Sequence, residues 1–281
     1  MKQSIRKHIR TFLFHTFCIL LVFLMIYPLL WLVSSSFKDQ ADIFGGLNLI
    51  PKNIKLENYP NGWKGFGGIT FLTFFKNSLI TSISATVLAV SSSVFIAYGF
   101  ARIKFKGKKI WFGCMIMTLM LPAQILMIPQ YLMYSKLKWI NTFFPLILPY
   151  LGGQAFFIYL GIQFIKSIPR ELDESAIIDG CGHFRLFFHI ILPLTKPAII
   201  TSTIFSFYWR WSDLIGPLLA LKRPKLYTVS MALKLFSDPT TITDWGAMFA
   251  MSVLSIFPDI IIFAFLQRHL VDGISTTGIK G

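Results

Sequence analysis

The chain alternates long apolar runs with shorter polar segments. Six of the runs reach the roughly 20 residues that a helix needs to cross about 30 Å of hydrocarbon. They cover residues 12–34, 77–101, 110–135, 139–165, 197–221 and 245–267. The second, third and fourth runs contain no Asp, Glu, Lys or Arg. The pattern predicts an all-α, polytopic membrane protein with six transmembrane helices.

The first apolar run follows a stretch with four basic residues between Lys2 and Arg10. A secretory signal peptide has an apolar core of about 7–15 residues and a cleavage site of small residues. This run is longer and continues through Pro28 and Trp31. We therefore expect a first helix that is retained in the mature protein.

The short loops predict the orientation of the chain, because cytoplasmic loops carry an excess of Lys and Arg. The N-terminal segment has four such residues and the loop after the second run has five, whereas the loop after the third run has only Lys136 and Lys138. We therefore expect both termini in the cytoplasm. Residues 1–11 then form the N-terminus, 12–267 one transmembrane domain and 268–281 a C-terminal tail.

The composition agrees with this pattern. The chain has 281 residues, of which 54% are apolar and 14% are charged, whereas about 25% are charged in a typical soluble domain. A soluble enzyme, a disordered chain and a disulfide scaffold therefore all fit the composition poorly. The net charge of +15 comes from basic residues beside apolar runs, so we expect no nucleic acid as a partner. Cys18, Cys114 and Cys181 have no metal-ligand spacing, so no metal site is expected.

Two runs have features that predict close packing or bending. Small residues recur at helical spacing in the second run and would let another helix approach closely in lipid, although a pore-lining role is the alternative. They are Ser78, Ser82, Ala85, Ala89, Ser93 and Ala97. Pro122 and Pro129 in the third run each remove a backbone donor, so we expect a bent helix there.

The fifth run contains charged residues in the sequence Trp209-Arg210-Trp211-Ser212-Asp213. Charges at membrane depth are costly and usually face a bundle interior or a watery cavity. Arg210 and Asp213 are three residues apart and can pair on one helical face. We predict a translocation pathway here, in which the tryptophans offer flat apolar faces to sugar rings; a purely structural ion pair is the alternative. Asp259 in the sixth run is a third charged residue within a predicted span, and its role stays open between structure and function.

The loop between the fourth and fifth runs predicts a short helix at about residues 169–180. Pro169 suits a first helical position, acidic residues fill the opening turns, and glycines follow the end. Leu172, Ala176 and Ile177 fall on one side of this helix, with Asp173 among them. A short amphipathic helix of this kind suits a groove on a partner protein. The alternative is a surface helix that lies on its own bundle.

The same loop carries a recognisable motif. Glu174-Ser175-Ala176, followed by Gly180 and by Ile190-x-Leu192-Pro193, matches the spacing of the EAA motif of ABC importer permeases. The one departure is Ser175 in place of alanine, which is also small. The chain most closely resembles the MalG-like permeases of carbohydrate importers. Further matching segments are 97–102, 105–107, 168–172, 178–180 and the tail 267–281. Trp211-Ser212-Asp213 stands where that family often has Trp-Asn-Asp, so any substrate contact made by the amide is in doubt.

The resemblance implies a type I ABC importer permease of the bacterial plasma membrane that moves an oligosaccharide. Its partners would be a second homologous permease, a cytoplasmic ABC ATPase dimer and an extracellular solute-binding protein, which would dock on the external segments 37–73 and 222–244. The short helix would couple the chain to the ATPase. The residues implied in coupling are Glu171, Asp173, Glu174, Ser175, Ala176, Asp179, Gly180 and Gly182. The residues predicted for the pathway are Trp209, Arg210, Trp211 and Asp213.

We expect no catalysis and no cofactor on this chain itself. It lacks the G-x-x-x-x-G-K-[ST] phosphate loop, so ATP and Mg are expected on the ATPase. Three alternatives stay open. One is a permease for another polar solute such as glycerol phosphate. A second is an ion-coupled secondary transporter that uses Arg210, Asp213 and Asp259, although no repeated halves are visible. The third is an intramembrane enzyme built on Asp213 and Asp259.

Overall fold

The computed structural model describes the backbone of residues 2–46, 48–236 and 244–275, and within these ranges the side chains from residue 8 to residue 268. Residues 276–281 of the matching tail lie outside the described residues, as does the part of the external segment 222–244 that covers 237–243. Within the described residues every regular element is helical, apart from one isolated bridge between Phe66 and Ile69. The predicted all-α class is confirmed.

Fifteen α-helices follow one another along the described chain. They are α1 (Lys2–Ser35), α2 (Gln40–Phe44), α3 (Asn58–Lys64), α4 (Phe71–Arg102), α5 (Lys108–Met120), α6 (Ala123–Lys136), α7 (Phe144–Ile147), α8 (Ala155–Ser167), α9 (Glu171–Ile178), α10 (His183–Leu186), α11 (Leu192–Leu194), α12 (Lys196–Trp211), α13 (Ile215–Ala220), α14 (Val229–Phe236) and α15 (Trp245–Ser275). Leu148–Gly152 and Pro224–Leu226 are 3₁₀ turns, and Phe187–Ile191 is a π-helical turn.

Four helical stretches are long and apolar enough to cross a membrane. They are His8–Ser35, Phe71–Arg102, Phe144–Ser167 and Trp245–Arg268. Two bent pairs of helices pass the same test together: α5 with α6, bent by 102°, and His183–Leu194 with α12, bent by 73°. Six spans result when each bent pair is counted as one. The number of spans agrees with the six apolar runs of the sequence, although the fifth covers 183–211 rather than 197–221.

The bend in the third span lies at Pro122. Leu121 and Pro122 are extended, with ψ angles of 121° and 129°, and α6 begins at the next residue. Proline disfavours the helical region for the residue before it and cannot donate to the preceding turn. The expected bend is therefore confirmed at Pro122, whereas Pro129 is accommodated inside α6.

The fifth span does not follow the predicted continuous helix over 197–221. Instead α12 ends at Trp211 and α13 begins at Ile215, so Asp213 lies in the break between them. The Asp213 carboxylate accepts a hydrogen bond from the backbone N–H of Gly216 at 3.1 Å. Short polar side chains compete in this way with the helical hydrogen bonds of the backbone. This local capping interaction, which hydropathy does not reveal, accounts for the difference.

The chain divides into two compact units, Met1–Phe71 with Leu233–Ile256, and Leu72–Ala232 with Phe257–Gly281. In the first unit, the buried side chain of Asn58 donates to the carbonyl oxygens of Ser36 and Lys38, at 2.9 Å each. It also lies directly against Gly246, where a Cβ atom would collide with it. These contacts fix α3 between the end of α1 and the start of α15.

In the second unit, α4 packs against α8 through small residues. The six Ser and Ala residues of the predicted small-residue stripe are all buried, which agrees with the packing interpretation. The backbones approach so closely that a Cβ atom added at Gly161 would lie 2.8 Å from that of Ala97. The Ser93 hydroxyl accepts a hydrogen bond from the backbone N–H of Gln154 at 2.9 Å, just before α8. Small residues bring helices together in lipid in this way.

Candidate functional site

The helix predicted at about 169–180 is α9, which spans eight residues from Glu171 to Ile178. Its end is fixed by glycine geometry: Gly180 has a φ of 81°, and the next N–H, that of Cys181, donates to the carbonyl of Ala176 at 2.9 Å. A left-handed glycine with a hydrogen bond back to the last turn is a common helix terminator. The acidic residues of the first turn are placed as the sequence predicts, where they complement the helix dipole.

One face of α9 lies on the chain's own bundle and the other is exposed. Asp173 and Ala176 are buried, and Ala176 joins the main apolar cluster of the second unit. The sequence predicted that Leu172 and Ile177 share one side of the helix with Ala176, but the structure exposes both of them. Ile178 is 85% exposed. The exposed face also carries four polar residues implied in coupling, Glu171, Glu174, Ser175 and Asp179. This face combines apolar side chains with carboxylates and is available to a partner.

An ion pair fixes the buried face of α9 to the end of α4. The Nε atom of Arg102 lies 2.7 Å from Oδ2 of Asp173, and both side chains are largely buried. An Nη atom of Arg102 also donates to the carbonyl of Ile168 at 2.8 Å. Burial raises the pKa of the Asp173 carboxyl above its usual value, and the positive charges of Arg102 and Arg170 only partly offset this effect. The ion pair therefore fixes the position of α9, but its formation costs free energy because the Asp173 carboxylate is desolvated.

Helix α4 also contacts the chain that follows α9, at His183. The hydroxyl of Tyr98 on α4 donates to the carbonyl of His183 at 3.2 Å, and its ring packs on Phe187 with centroids 5.0 Å apart. Arg102 contacts the chain before and within α9, and Tyr98 contacts it afterwards. Sequence reasoning assigned neither residue a role, although both lie in the matching segment 97–102. One helix thus fixes both flanks of α9.

A cavity of about 570 Å³ in the second unit contains three of the four predicted pathway residues. Trp209, Arg210 and Asp213 line it. Trp211 does not: its side chain is buried against Phe75 and Phe207, with ring centroids 5.8 and 5.6 Å away. The cavity has further polar walls that the sequence analysis did not identify. These are Gln124, Gln130, Tyr131 and Tyr134 on α6, and Tyr150 in the 3₁₀ turn.

The guanidinium of Arg210 is bound to neutral partners rather than to Asp213. Its two Nη atoms donate to the hydroxyl of Tyr150 and, at 2.9 Å, to Oε1 of Gln154. Its Cζ atom lies 3.6 Å from the centroid of the Tyr150 ring, which is a cation–π distance. No carboxylate oxygen of a described residue lies within 4.0 Å of it. The predicted ion pair is therefore wrong, because α12 ends before Asp213 and that carboxylate caps α13 instead.

Asp259 lies on α15 beside a cavity of about 420 Å³ with apolar walls that include Phe205, Tyr208 and Phe263. Its Oδ1 atom is buried and has no hydrogen-bond partner among the described residues. No basic side chain of the described part of the chain forms an ion pair with it. Asp259 therefore has no pairing partner within this part of the chain.

Comparisons with known proteins identify the family of the chain. Residues 89–276 match the model of the binding-protein-dependent transport system inner membrane component family. The probable ABC transporter permease protein YurM of Bacillus subtilis is 35% identical over 94% of this chain and 87% of its own length. The arabinooligosaccharides transport system permease protein AraQ of the same organism is 32% identical over 94% of both chains.

A solved structure has the same fold. A chain of a bacterial ABC transporter involved in the import of the acidic polysaccharide alginate superposes with a TM-score of 0.77. The match covers 93% of this chain and 96% of that chain, at 22% sequence identity.

The Arg102–Asp173 pair makes a testable contribution to stability. Arg102→Ala and Asp173→Ala should each lower the free energy of unfolding by about 3–5 kcal/mol, because each leaves a buried charge unpaired. The double variant Arg102→Met with Asp173→Leu should lose much less than the sum of its single substitutions. The measurement is denaturant unfolding of the purified protein in mixed micelles.

Glu174→Ala is the matched control, since it removes an exposed carboxylate from the same helix. It should change the free energy of unfolding by no more than about 0.5 kcal/mol. Additive losses from Arg102→Met and Asp173→Leu would show that the two side chains are not coupled.

Proposed function

The chain belongs to the binding-protein-dependent transport system inner membrane component family, and on this basis we propose that it is the permease subunit of an ABC importer for an oligosaccharide. The family makes it a multi-pass component of the inner membrane. The relatives support the substrate class, because AraQ is named for arabinooligosaccharides and the 29% identical GanQ of Bacillus subtilis for galactooligosaccharides. ATP and its Mg bind to a separate cytoplasmic ATPase dimer, and this chain has no catalytic role.

The observation that carries the proposal is the geometry of α9. Its buried face is fixed to α4 by Arg102, while Leu172, Glu174 and Ile177 are exposed on the other face. A helix of eight residues is too short to be stable alone, so its position is set by the bundle. A rigidly attached helix with a free amphipathic face can enter a groove of the ATPase and transmit the closure of that subunit to α4.

The remaining partners follow from the same proposal. A second, homologous permease completes the pathway, and both termini lie in the cytoplasm with α9. An extracellular solute-binding protein docks on the segments 37–73 and 222–244 and delivers the sugar. The basic residues between α4 and α5 support this orientation, since they belong on the cytoplasmic side.

The cavity around Arg210 forms this subunit's part of the translocation pathway. Tyrosines, glutamines and Trp209 offer hydrogen bonds and flat apolar faces, which is the combination that small polar ligands require in a pocket. A permease for an anionic solute such as glycerol phosphate is the second candidate. It is favoured by the absence of an ion-pair partner for Arg210 among the described residues.

Purification of the intact complex decides between the two candidates. The complex is reconstituted with its solute-binding protein, and the ATPase rate is measured with a panel of oligosaccharides and with glycerol phosphate. Stimulation by an oligosaccharide supports the first proposal and stimulation by glycerol phosphate alone supports the second. A chain that transports without any ATPase, driven by an ion gradient, would contradict both.

Charge reversal on the exposed face of α9 should uncouple this subunit from the ATPase. Glu174→Lys should lower substrate-stimulated ATPase activity and transport in proteoliposomes by about ten-fold or more, since a reversed charge at an interface costs several kcal/mol. Arg268→Glu reverses a charge of the same size at an exposed residue of α15, outside both docking segments, and it should leave the ATPase activity stimulated by substrate close to that of the native complex. Equal activities of the two variants would show that this face does not contact the ATPase.

Replacement of Arg210 should weaken the apparent affinity for solute without changing basal ATP hydrolysis. Arg210→Gln should raise the solute concentration for half-maximal transport about 10- to 100-fold, the effect of losing hydrogen bonds from a charged group. The basal ATPase rate should stay unchanged. Arg268→Gln, which neutralises an exposed arginine on α15, serves as the control. An unaltered concentration dependence in Arg210→Gln would place the pathway elsewhere.

A further inference from the structure

A second cavity in the same unit is lined by a cluster of lysines. It has a volume of about 430 Å³ and lies between the end of α4, the start of α5 and the end of α8. Its four basic residues are Lys104, Lys108, Lys109 and Lys166. We call it the basic cavity. None of the functions discussed above uses it.

The floor of the basic cavity is apolar and aromatic. Phe100 packs edge-on against Phe105 and Phe112, with ring centroids 5.6 and 6.1 Å apart. All three rings line the cavity together with Ile162. The cavity thus combines an apolar surface with several cationic groups.

The lysines are not neutralised within the described chain. None of the four has a carboxylate oxygen of a described residue within 4.0 Å. Lys108 donates to the carbonyl of Ile103 at 3.1 Å, which orients its ammonium group without cancelling the charge. The carboxylate of Asp173 is paired with Arg102 instead. Four positive charges around one cavity repel each other, so an anion between them would be strongly stabilised.

The cavity also lies at a level that suits a lipid. Its lining residues lie at the end of the apolar helix α4 and in the first turn of α5, where the chain leaves one apolar span and enters the next. It is at the same end of α4 as Arg102, which contacts α9. Anionic headgroups concentrate at this level, and basic pockets between transmembrane helices bind them.

We propose that the basic cavity binds an anionic phospholipid, with the phosphate of its headgroup among the four lysines and the upper part of its acyl chains against the phenylalanine floor. The aromatic floor favours a lipid over a soluble phosphate compound, because a soluble anion would leave these rings in contact with water. The long lysine stems pack on apolar surface while their ammonium groups reach the headgroup. The site is separate from the sugar pathway and from the exposed face of α9.

Lipid binding to the purified complex tests this directly. The complex in detergent is titrated with phosphatidylglycerol and, separately, with phosphatidylcholine of the same acyl chains, and bound lipid is counted by native mass spectrometry. Phosphatidylglycerol should bind tighter. Lys104→Gln with Lys109→Gln should weaken its binding about five-fold for each lysine removed, whereas phosphatidylcholine binding should not change.

The matched control is Lys106→Gln with Lys196→Gln, since both lysines are exposed and neither lines the cavity. Its phosphatidylglycerol affinity should remain within about two-fold of the native value, well below the change expected for two lysines of the site. An equal loss in both double variants would show a general charge effect and overturn the proposal. So would equal binding of the two lipids to the native complex.

Two further outcomes would assign the site to another ligand and overturn the proposal. One is that glycerol phosphate displaces bound phosphatidylglycerol at equal concentration, which would mean that the floor contributes nothing. The other is that the cavity variant loses its bound ATPase while its lipid count stays native, which would make the lysines a protein contact. Neither result depends on transport, so the test stands independently of the substrate of the importer.

Discussion

The buried ion pair between Arg102 and Asp173 is the interaction on which the rest of the arrangement depends. A helix of eight residues is not stable alone, and its orientation depends on contacts with the rest of the protein. Arg102 fixes it at Asp173 and at the carbonyl of Ile168, and Tyr98 fixes the chain that follows. Because Asp173 is desolvated, the free-energy cost of burying the pair offsets much of its electrostatic attraction. What it provides is a defined orientation, in which the same side of α9 is always exposed.

Three stretches of irregular backbone in the second unit line one cavity. The first turn of α6 after the break at Pro122, the 3₁₀ turn with Tyr150, and the break at Asp213 all contribute to the walls around Arg210. Non-helical backbone at membrane depth is tolerated where it is buried in protein or lines a watery cavity. The three breaks therefore belong together: each gives up helical hydrogen bonds and brings polar groups to the same space.

The sequence could predict whatever depends on neighbours along the chain. The apolar runs, the bend at Pro122 and the end of α9 at Gly180 follow from local preferences, and the structure has all of them. The partners of Arg210 could not be predicted, because Tyr150 and Gln154 are 60 and 56 residues away in the chain. The pair of Arg102 with Asp173 is likewise set by the packing of α4 on the loop. Gln124 and Gln130 were visible as polar residues in an uncharged apolar run, and this signal could have been used.

The cations of the second unit differ in how they are stabilised, and their position explains the difference. Arg102, at the end of α4, is buried and has a carboxylate, since an unpaired charge there would be prohibitively costly. Arg210 lies within a span and is surrounded by a hydroxyl, an amide and an aromatic ring, which stabilise the charge without cancelling it. A cation kept in this state can still interact with a solute. The lysines of the basic cavity are mostly exposed at the end of the spans, where the bilayer itself supplies anions. Burial separates Arg102 from the lysines at the same end of α4, and depth in the membrane separates both from Arg210. Together, burial and depth decide whether a positive charge fixes the fold, faces the cavity or stays open to an anion.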